Sequence, residues 1–232
     1  MKQFLIILAL LTSVTQACGQ VTLGAKAGGN YTLTRTSLGD QAPPFSLAPA
    51  SVNGFGFHGG AFVELELSEK LFLRPELSYS VRNNSYDEGF DSTIVIMGIP
   101  LTARAELEVE VTRSYLELPV LIGYKLGEHF SLVAGPAVSY LISNRTNTNG
   151  QISVGSFLQG FDLPFSNSNT STEGLRAVGF AAVSGLNYRS EGGIDIGLRY
   201  WQGFGTLEED TDLLKTYQSM LQLSLGYSFI GN

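Results

Sequence analysis

The chain has 232 residues, which is enough for one large domain or at most two small ones. It carries 14 Lys and Arg against 21 Asp and Glu, a net charge of −7 without any basic cluster, which argues against nucleic-acid binding. The hydrophobic fraction of 44% excludes a disordered chain, and the single Cys excludes a disulfide framework. Only 15% of the residues are charged, against ~25% in a typical soluble domain, a composition typical of a chain that faces something other than water.

The N-terminal segment has the layout of a secretory signal peptide. Lys2 gives a positive start, the run from Phe4 to Leu11 is apolar throughout, and small and polar residues follow. The apolar run is shorter than the ~20 residues that a membrane-spanning helix needs. We therefore assign residues 1–19 to a signal peptide and residues 20–232 to the mature domain.

The cleavage position has more than one solution. Cleavage after Gly19 places small residues at both recognition positions, and cleavage after Ala17 also fits. Lipidation of Cys18 is a weaker alternative, because Thr15 stands where a lipobox usually has Leu.

From Val21 onward the chain alternates between apolar and polar residues with a period of two, which predicts β-strands. No later stretch has 18 consecutive apolar residues, so no spanning helix is predicted. Eight strands are predicted in chain order: Val21–Leu33, Phe57–Leu67, Leu71–Arg82, Ser114–Leu126, Phe130–Ser143, Leu175–Tyr188, Ile194–Gly205 and Tyr217–Ile230.

The connections between these strands alternate in length. Three are short, namely Ser68–Lys70, Gly127–His129 and Arg189–Gly193. The four long ones are Thr34–Gly56, Asn83–Arg113, Asn144–Gly174 and Thr206–Thr216. Short turns at one end and long loops at the other are typical of a bacterial outer-membrane barrel, and an even strand number places both termini in the periplasm.

Alternation alone does not tell which face points outward, since a soluble lipocalin-like barrel would put its apolar face inside. Here the apolar face carries the bulky residues and the other face many Gly, Ser and Ala, which suits the narrow interior of an eight-stranded barrel. Aromatic residues of the apolar face fall near the strand ends, as expected at membrane interfaces. We therefore predict an all-β, eight-stranded antiparallel transmembrane β-barrel of the OmpA/OmpX-like up-and-down type, located in the cell outer membrane as a monomer.

Three prolines conflict with this fold. Pro75, Pro119 and Pro136 lie in mid-strand, where each removes a ladder hydrogen bond, and a closed barrel has no edge strand to host them. Bulges or bends are expected at these positions, or else a local register that differs from the predicted one.

Charged residues of both signs lie on the inward face and form the candidate site. We expect an interior network that locks the strands in register, although each charge could instead be solvated in a wet lumen. Its predicted members are Lys26, Glu64, Arg74, Glu76, Glu117 and Arg199. His58 is a further polar candidate for the lumen, near the long-loop end of the second strand.

Two other functions are alternatives to a structural or interaction role. A solute pore is disfavoured because eight strands leave room for little more than side chains, and Phe62, Tyr115 and Trp201 point inward. An outer-membrane enzyme acting on lipid or peptide would need a His general base, for which His58, near Ser80 and Asn30, is the candidate. No carboxylate partner for His58 follows from the sequence, so we predict no catalytic, cofactor-binding or metal-binding residue.

Two of the long connections carry patterns of their own. The segments Ile94–Leu101 and Thr102–Thr112 suggest a hairpin that extends strands three and four beyond the membrane and offers an edge to a partner. Residues Asn144–Thr172 are rich in Asn, Ser, Thr and Gly and are expected to form a polar, mobile loop.

Four stretches resemble the PorT-like outer-membrane β-barrel proteins of Bacteroidota. They are YLELPVLIGY at 115–124, AGPAVSY at 134–140, LRYWQG at 198–203 and LSLGYSF at 223–229. The resemblance spans essentially the mature chain, implies an outer-membrane barrel and brings no catalytic residue. We expect a non-enzymatic structural or interaction role in the cell envelope, with outer-membrane lipid as surroundings and an envelope protein as a possible partner at the extracellular loops.

Overall fold

The computed structural model describes residues 21–38, 52–96, 99–155, 160–209 and 214–230. The predicted signal peptide lies outside the described residues. Nine strands follow one another: β1 (Val21–Leu38), β2 (Val52–Glu66), β3 (Leu71–Ile96), β4 (Ile99–Lys125), β5 (Phe130–Gly155), β6 (Gly160–Thr170), β7 (Val178–Arg189), β8 (Ile194–Phe204) and β9 (Leu214–Ile230). The described part of the chain holds no helix that is long and apolar enough to cross a membrane.

Eight of the strands close into a ring. Each pairs antiparallel with its neighbours in the order β1, β2, β3, β4, β5, β7, β8, β9, and β9 returns to pair with β1. The predicted eight-stranded antiparallel barrel is thereby confirmed. The remaining strand, β6, pairs with the distal half of β5 and takes no part in the ring among the described residues.

The alternation of side chains follows the predicted faces. Large apolar side chains of all eight ring strands are exposed on the outside, and residues of the other parity are buried inside. An exposed apolar belt of this extent is stable only against lipid. The interior has a separate apolar cluster, made of Phe72, Leu121, Val133, Ala137, Ala181, Val183, Trp201 and Met220.

The mid-strand prolines do not produce the predicted bulges. The register on either side of Pro75, Pro119 and Pro136 is the same, and the ladder skips two residue pairs beside them before it resumes. The register shifts lie elsewhere, at Leu23/Gly24 and at Ser114/Tyr115. The barrel therefore accepts each proline as a gap in pairing, because continuous ladders on both sides hold the strand in place.

Beyond the ring, the distal parts of β3, β4 and β5 form a four-stranded external sheet together with β6. The β3–β4 hairpin stays paired up to Ile96 and Ile99, which confirms the predicted hairpin extension. The β5–β6 hairpin covers most of the segment predicted to be a polar loop, so that prediction was wrong for Asn144–Gly155 and Gly160–Thr170. Its polar strands are joined side by side through hydrogen bonds from Ser166 to Asn149 and from Ser168 to Asn147, each 2.8 Å long.

The outer face of β4 marks where the barrel leaves the membrane. Glu106, Glu108 and Glu110 occupy the alternate positions that, nearer the barrel centre, hold Leu116, Leu118 and Val120. Because carboxylates are costly against hydrocarbon, the membrane boundary on this strand lies between Glu110 and Leu116. The external sheet consequently stands outside the bilayer.

A matched pair of arginine substitutions tests this placement. Leu223 is exposed on the outer face of β9 between Tyr217 and Tyr227, while Ile152 is exposed on the external sheet. We expect Leu223→Arg to lower the free energy of unfolding by about 2–4 kcal/mol, the cost of Arg near the bilayer midplane. Ile152→Arg should change it little. Urea unfolding of the barrel in lipid bilayers measures both, and equal effects would contradict the assigned membrane boundary.

Candidate functional site

Arg74 is the centre of the charge network inside the barrel. From β3 it reaches across to β8, where Nη1 and Nη2 donate to the two carboxylate oxygens of Asp195 at 3.0 and 2.9 Å. Its Nε donates to Glu76 at 2.9 Å, and its guanidinium lies 3.8 Å from the centroid of the Phe62 ring. The side chain is fully buried, so every face of this cation is occupied by protein groups.

Glu76 forms ion pairs with three cations, which come from three different strands. Besides Arg74 it accepts from Lys26 of β1 at 2.5 Å and from Arg199 of β8 at 2.5 Å. All four side chains are buried. A carboxylate between three buried cations cannot be removed without leaving positive charges that repel one another in a poorly solvated space.

The ion pairs span the diameter of the barrel. In the eight-stranded ring β3 lies opposite β8, and both Arg74–Asp195 and Glu76–Arg199 join these two strands. β2 lies opposite β7, and Arg189 of β7 binds Glu64 of β2 through both guanidinium nitrogens at 2.8 Å. Arg189 also donates to Asp195 at 3.1 Å, which ties the two diameters together.

Glu117 belongs to a second cluster, closer to the long-loop end. It accepts from Arg82 at 2.5 Å and faces the amide of Gln222 at 3.5 Å. Gln222 in turn accepts from the indole N–H of Trp201 at 2.8 Å. This cluster connects β3, β4, β8 and β9 and lies beside the apolar cluster of the interior.

The structure thus brings five of the six predicted network residues into one group, made of Lys26, Glu64, Arg74, Glu76 and Arg199, and separates Glu117 from it. The predicted set left out Asp195, which pairs with Arg74. It also left out Arg82 and Arg189. Both stand at strand ends, Arg82 as the last residue of the predicted third strand and Arg189 in a predicted turn. β3 runs on past Arg82 and β7 ends at Arg189, and both side chains keep the inward parity of their strands. Continuing the alternation to the last residue of the predicted third strand identifies Arg82, and extending the sixth predicted strand by one residue identifies Arg189.

The positive and negative charges of the network are nearly balanced. Its buried or half-buried cations are Lys26, Arg74, Arg82, Arg189 and Arg199, and its carboxylates are Glu64, Glu76, Glu117 and Asp195. Pairing of this kind is the condition under which charges are tolerated in an interior that excludes water. The alternative of singly solvated charges does not describe these residues.

His58 lies alone among these groups. It is buried on β2 opposite Ser80 of β3, but Ser80 accepts from Asn30 at 3.2 Å, and neither ring nitrogen of His58 has a hydrogen-bond partner in the described chain. His129 sits in the β4–β5 turn with Nδ1 3.0 Å from the carbonyl of Arg189. Among the described residues, no group of three His, Cys, Asp or Glu side chains is placed to hold a metal ion.

Comparison with known proteins gives a family for the chain. Residues 16–232 match the model of a protein family whose description is "outer membrane protein beta-barrel domain". No curated protein matches the sequence.

Solved structures give distant likenesses. Ail, the attachment invasion locus protein of Yersinia pestis, is 14% identical over 91% of this chain and 99% of its own, with a TM-score of 0.37. Neisserial surface protein A is 13% identical over 89% and 97%, with a TM-score of 0.35. The outer membrane protease OmpT from Escherichia coli is 8% identical over 90% and 97%, with a TM-score of 0.30.

Removal of the central carboxylate tests whether the network holds the barrel together. We expect Glu76→Gln to lower the free energy of unfolding by about 3–5 kcal/mol, because Lys26, Arg74 and Arg199 lose their shared counter-ion. The double variant Glu76→Gln, Arg199→Gln should recover part of the loss, since one of the unpaired cations is removed as well. Urea unfolding in lipid bilayers measures both.

The control is the ion pair of Lys125 and Glu66, which is about one-third exposed at the short-turn end of the barrel. Lys125→Gln should cost less than about 1 kcal/mol, as is usual for exposed pairs. A Glu76→Gln barrel as stable as the Lys125→Gln barrel would show that the interior charges do not lock the strands.

Proposed function

This chain belongs to the outer membrane protein β-barrel domain family and lies in the outer membrane, and from that premise we propose that it is a closed, non-enzymatic barrel that presents its external sheet to a protein partner. The long connections of such barrels face the cell exterior. The observation that carries the proposal is the free edge of β6, outside the membrane boundary. The same proposal includes the narrower assignment of the chain to the PorT-like proteins of Bacteroidota.

The edge of the external sheet is suited to strand addition. Among the described residues β6 pairs with β5 alone, so its other side offers backbone C=O groups, and N–H groups except at Pro164, along a strand of 11 residues, roughly 35 Å. Leu163 and Phe165 are exposed on β6, and Ile152 is exposed on the neighbouring β5. A partner strand that pairs with β6 would gain main-chain hydrogen bonds and cover these apolar side chains.

The filled interior supports a closed barrel over the pore alternative. Arg74, Arg199 and Phe62 are 0%, 1% and 1% exposed, and they come from three different strands of the ring. Side chains joined across both diameters block the path that a solute would take. The barrel then serves as a rigid base for the external sheet.

The described residues give the enzyme alternative no arrangement of catalytic groups around His58. A His general base needs a carboxylate or carbonyl to orient it and a nucleophile within hydrogen-bond reach. His58 has neither, and Glu76, a carboxylate of the same interior, is already bound by three cations. His58 is therefore assigned to the filling of the lumen.

Site-specific crosslinking tests the interaction role. A photoreactive amino acid at Leu163 on β6 is expected to give one discrete adduct in outer membranes of the native host, because a strand added at this edge would lie against it. The control position is Glu128, which is exposed in the periplasmic β4–β5 turn. The proposal fails if Leu163 gives no adduct, or if both positions give the same adduct.

A conductance measurement separates the closed barrel from a pore. We expect the refolded protein to give no steady single-channel current in a planar lipid bilayer, because the interior cross-section is filled with paired side chains. Bilayers treated with protein-free detergent provide the baseline. Stable current steps that scale with salt concentration would replace the closed barrel with a pore.

A further inference from the structure

A cavity of about 140 Å³ lies where the barrel opens towards the cell exterior. Arg82 and Trp201 of the second cluster lie in its floor, and the connections that follow β6 and β8 form its cover. It is separate from the Arg74 network and from the free edge of β6. Of the interior ion pairs among the described residues, Arg82–Glu117 alone borders it, through Arg82.

The cover consists of two connections tied to each other. The backbone N–H of Arg176 donates to the carbonyl of Leu207 at 2.8 Å, and that of Glu209 donates to the carbonyl of Gly174 at 3.1 Å. Gly174 and Gly205 have φ angles of 75° and 87°, which non-glycine residues rarely adopt, and so they allow both connections to turn over the mouth. The cavity therefore has a defined roof.

The floor is held rigidly by Arg82. Its guanidinium stacks 4.2 Å from the centroid of the Tyr115 ring, Nη2 donates to Glu117, and Nη1 donates to the side-chain oxygen of Gln218 at 2.9 Å. The orientation of the Gln218 amide is thereby fixed, because its oxygen faces Arg82.

Two donors of this floor are unused. Nε of Arg82 and Nε2 of Gln218 are buried and have no hydrogen-bond partner in the described chain. The two residues are only 8% and 7% exposed. Both residues line the cavity. A buried donor without an acceptor is costly, so an acceptor is expected in the space beside it.

The lining favours an acceptor that carries negative charge. Arg82 and Arg176 both line the cavity, and no carboxylate among the described residues does. Arg82 is paired with Glu117 beside the cavity, while Nε of Arg176 donates to the neutral carbonyl of Glu208 at 2.9 Å. The remaining lining is mostly apolar or aromatic. Tyr115, Trp201 and Met220 are its buried members, while Phe180 and Phe204 are exposed on the outer side. An anionic head and an apolar body match these two parts of the lining.

We propose that this cavity binds a small organic carboxylate whose apolar body is about the size of a benzene ring. The carboxylate accepts from Arg82 Nε and Gln218 Nε2, and the apolar body lies against Trp201 and Met220. The volume agrees with this size, since cavities of about 150 Å³ accommodate benzene.

Titration of the mature protein in lipid nanodiscs with benzoate tests the proposal. Trp201 is the single Trp of the chain and lines the cavity, so its fluorescence reports occupancy. A saturable change with benzoate, absent from empty nanodiscs, is expected. Benzyl alcohol, which keeps the ring and lacks the charge, should bind at least about tenfold more weakly, the factor for one charge-assisted hydrogen bond.

Gln218→Glu is the decisive variant. It keeps an acceptor for Arg82 and replaces the unused donor with a negative charge, so benzoate affinity should fall by more than about tenfold. Arg176→Gln removes an exposed cation from the roof and should weaken binding about threefold without affecting the floor. Gln151→Glu, an exposed change on the external sheet, is the matched control and should leave the affinity unchanged.

The outcomes are distinct. If Gln218→Glu fails to fold, as judged by loss of the compact band of the unheated barrel in gel electrophoresis, the Arg176→Gln and benzyl alcohol comparisons decide. Benzoate that produces no saturable response overturns the proposal, and so does equal binding of benzyl alcohol. An equal benzoate affinity in folded Gln218→Glu would also exclude this cavity as the site.

Discussion

The pairing of Arg74 with carboxylates from other strands is the interaction on which the rest of the structure depends. A barrel of eight strands encloses a space that is just wide enough for side chains to fill. Arg74 fills that space and joins β3 to β8 on the far side through Asp195. Glu76, Lys26 and Arg199 then fit around it because each balances the charge of the next. Ion pairs of this kind need not stabilise more than apolar packing would; we propose that they select one register of the opposing strands.

Period-two alternation predicted which side of each strand faces inward, because parity is a local property of the sequence. His58, Arg74 and Arg199 all lie on the side that the pattern assigned to them. The partners of these charges could not be predicted, since they depend on which strands face each other across the ring and on how far each is shifted along the barrel. Arg189 bonds Glu64 over 125 residues of sequence, and nothing local to either residue reports that distance.

The strands of the external sheet were predicted only in part, for a different reason. Asn, Ser and Thr have modest strand propensity and are common in loops, so the segment that contains β6 reads as a loop. In the folded protein these side chains bond across the strands, as Ser166 does with Asn149, and the neighbouring strand supplies the preference that the sequence lacks. Strands β4 and β5 extend from the barrel into this sheet. Their outward residues change from apolar to acidic and polar, so the same hydrogen-bonded ladder continues from lipid into water.

The diametric ion pairs also limit the order in which the barrel can assemble. Arg74 and Asp195 are 121 residues apart, and Glu76 and Arg199 are 123 apart, so neither pair can form until the two halves of the chain have met. Until the ring closes, these charged side chains need water, because a lone charge in hydrocarbon is far less favourable than a hydrated one. The nascent barrel must therefore enter the bilayer with a hydrated interior that dries last, and its contacts of high sequence separation make closure the slow step of folding.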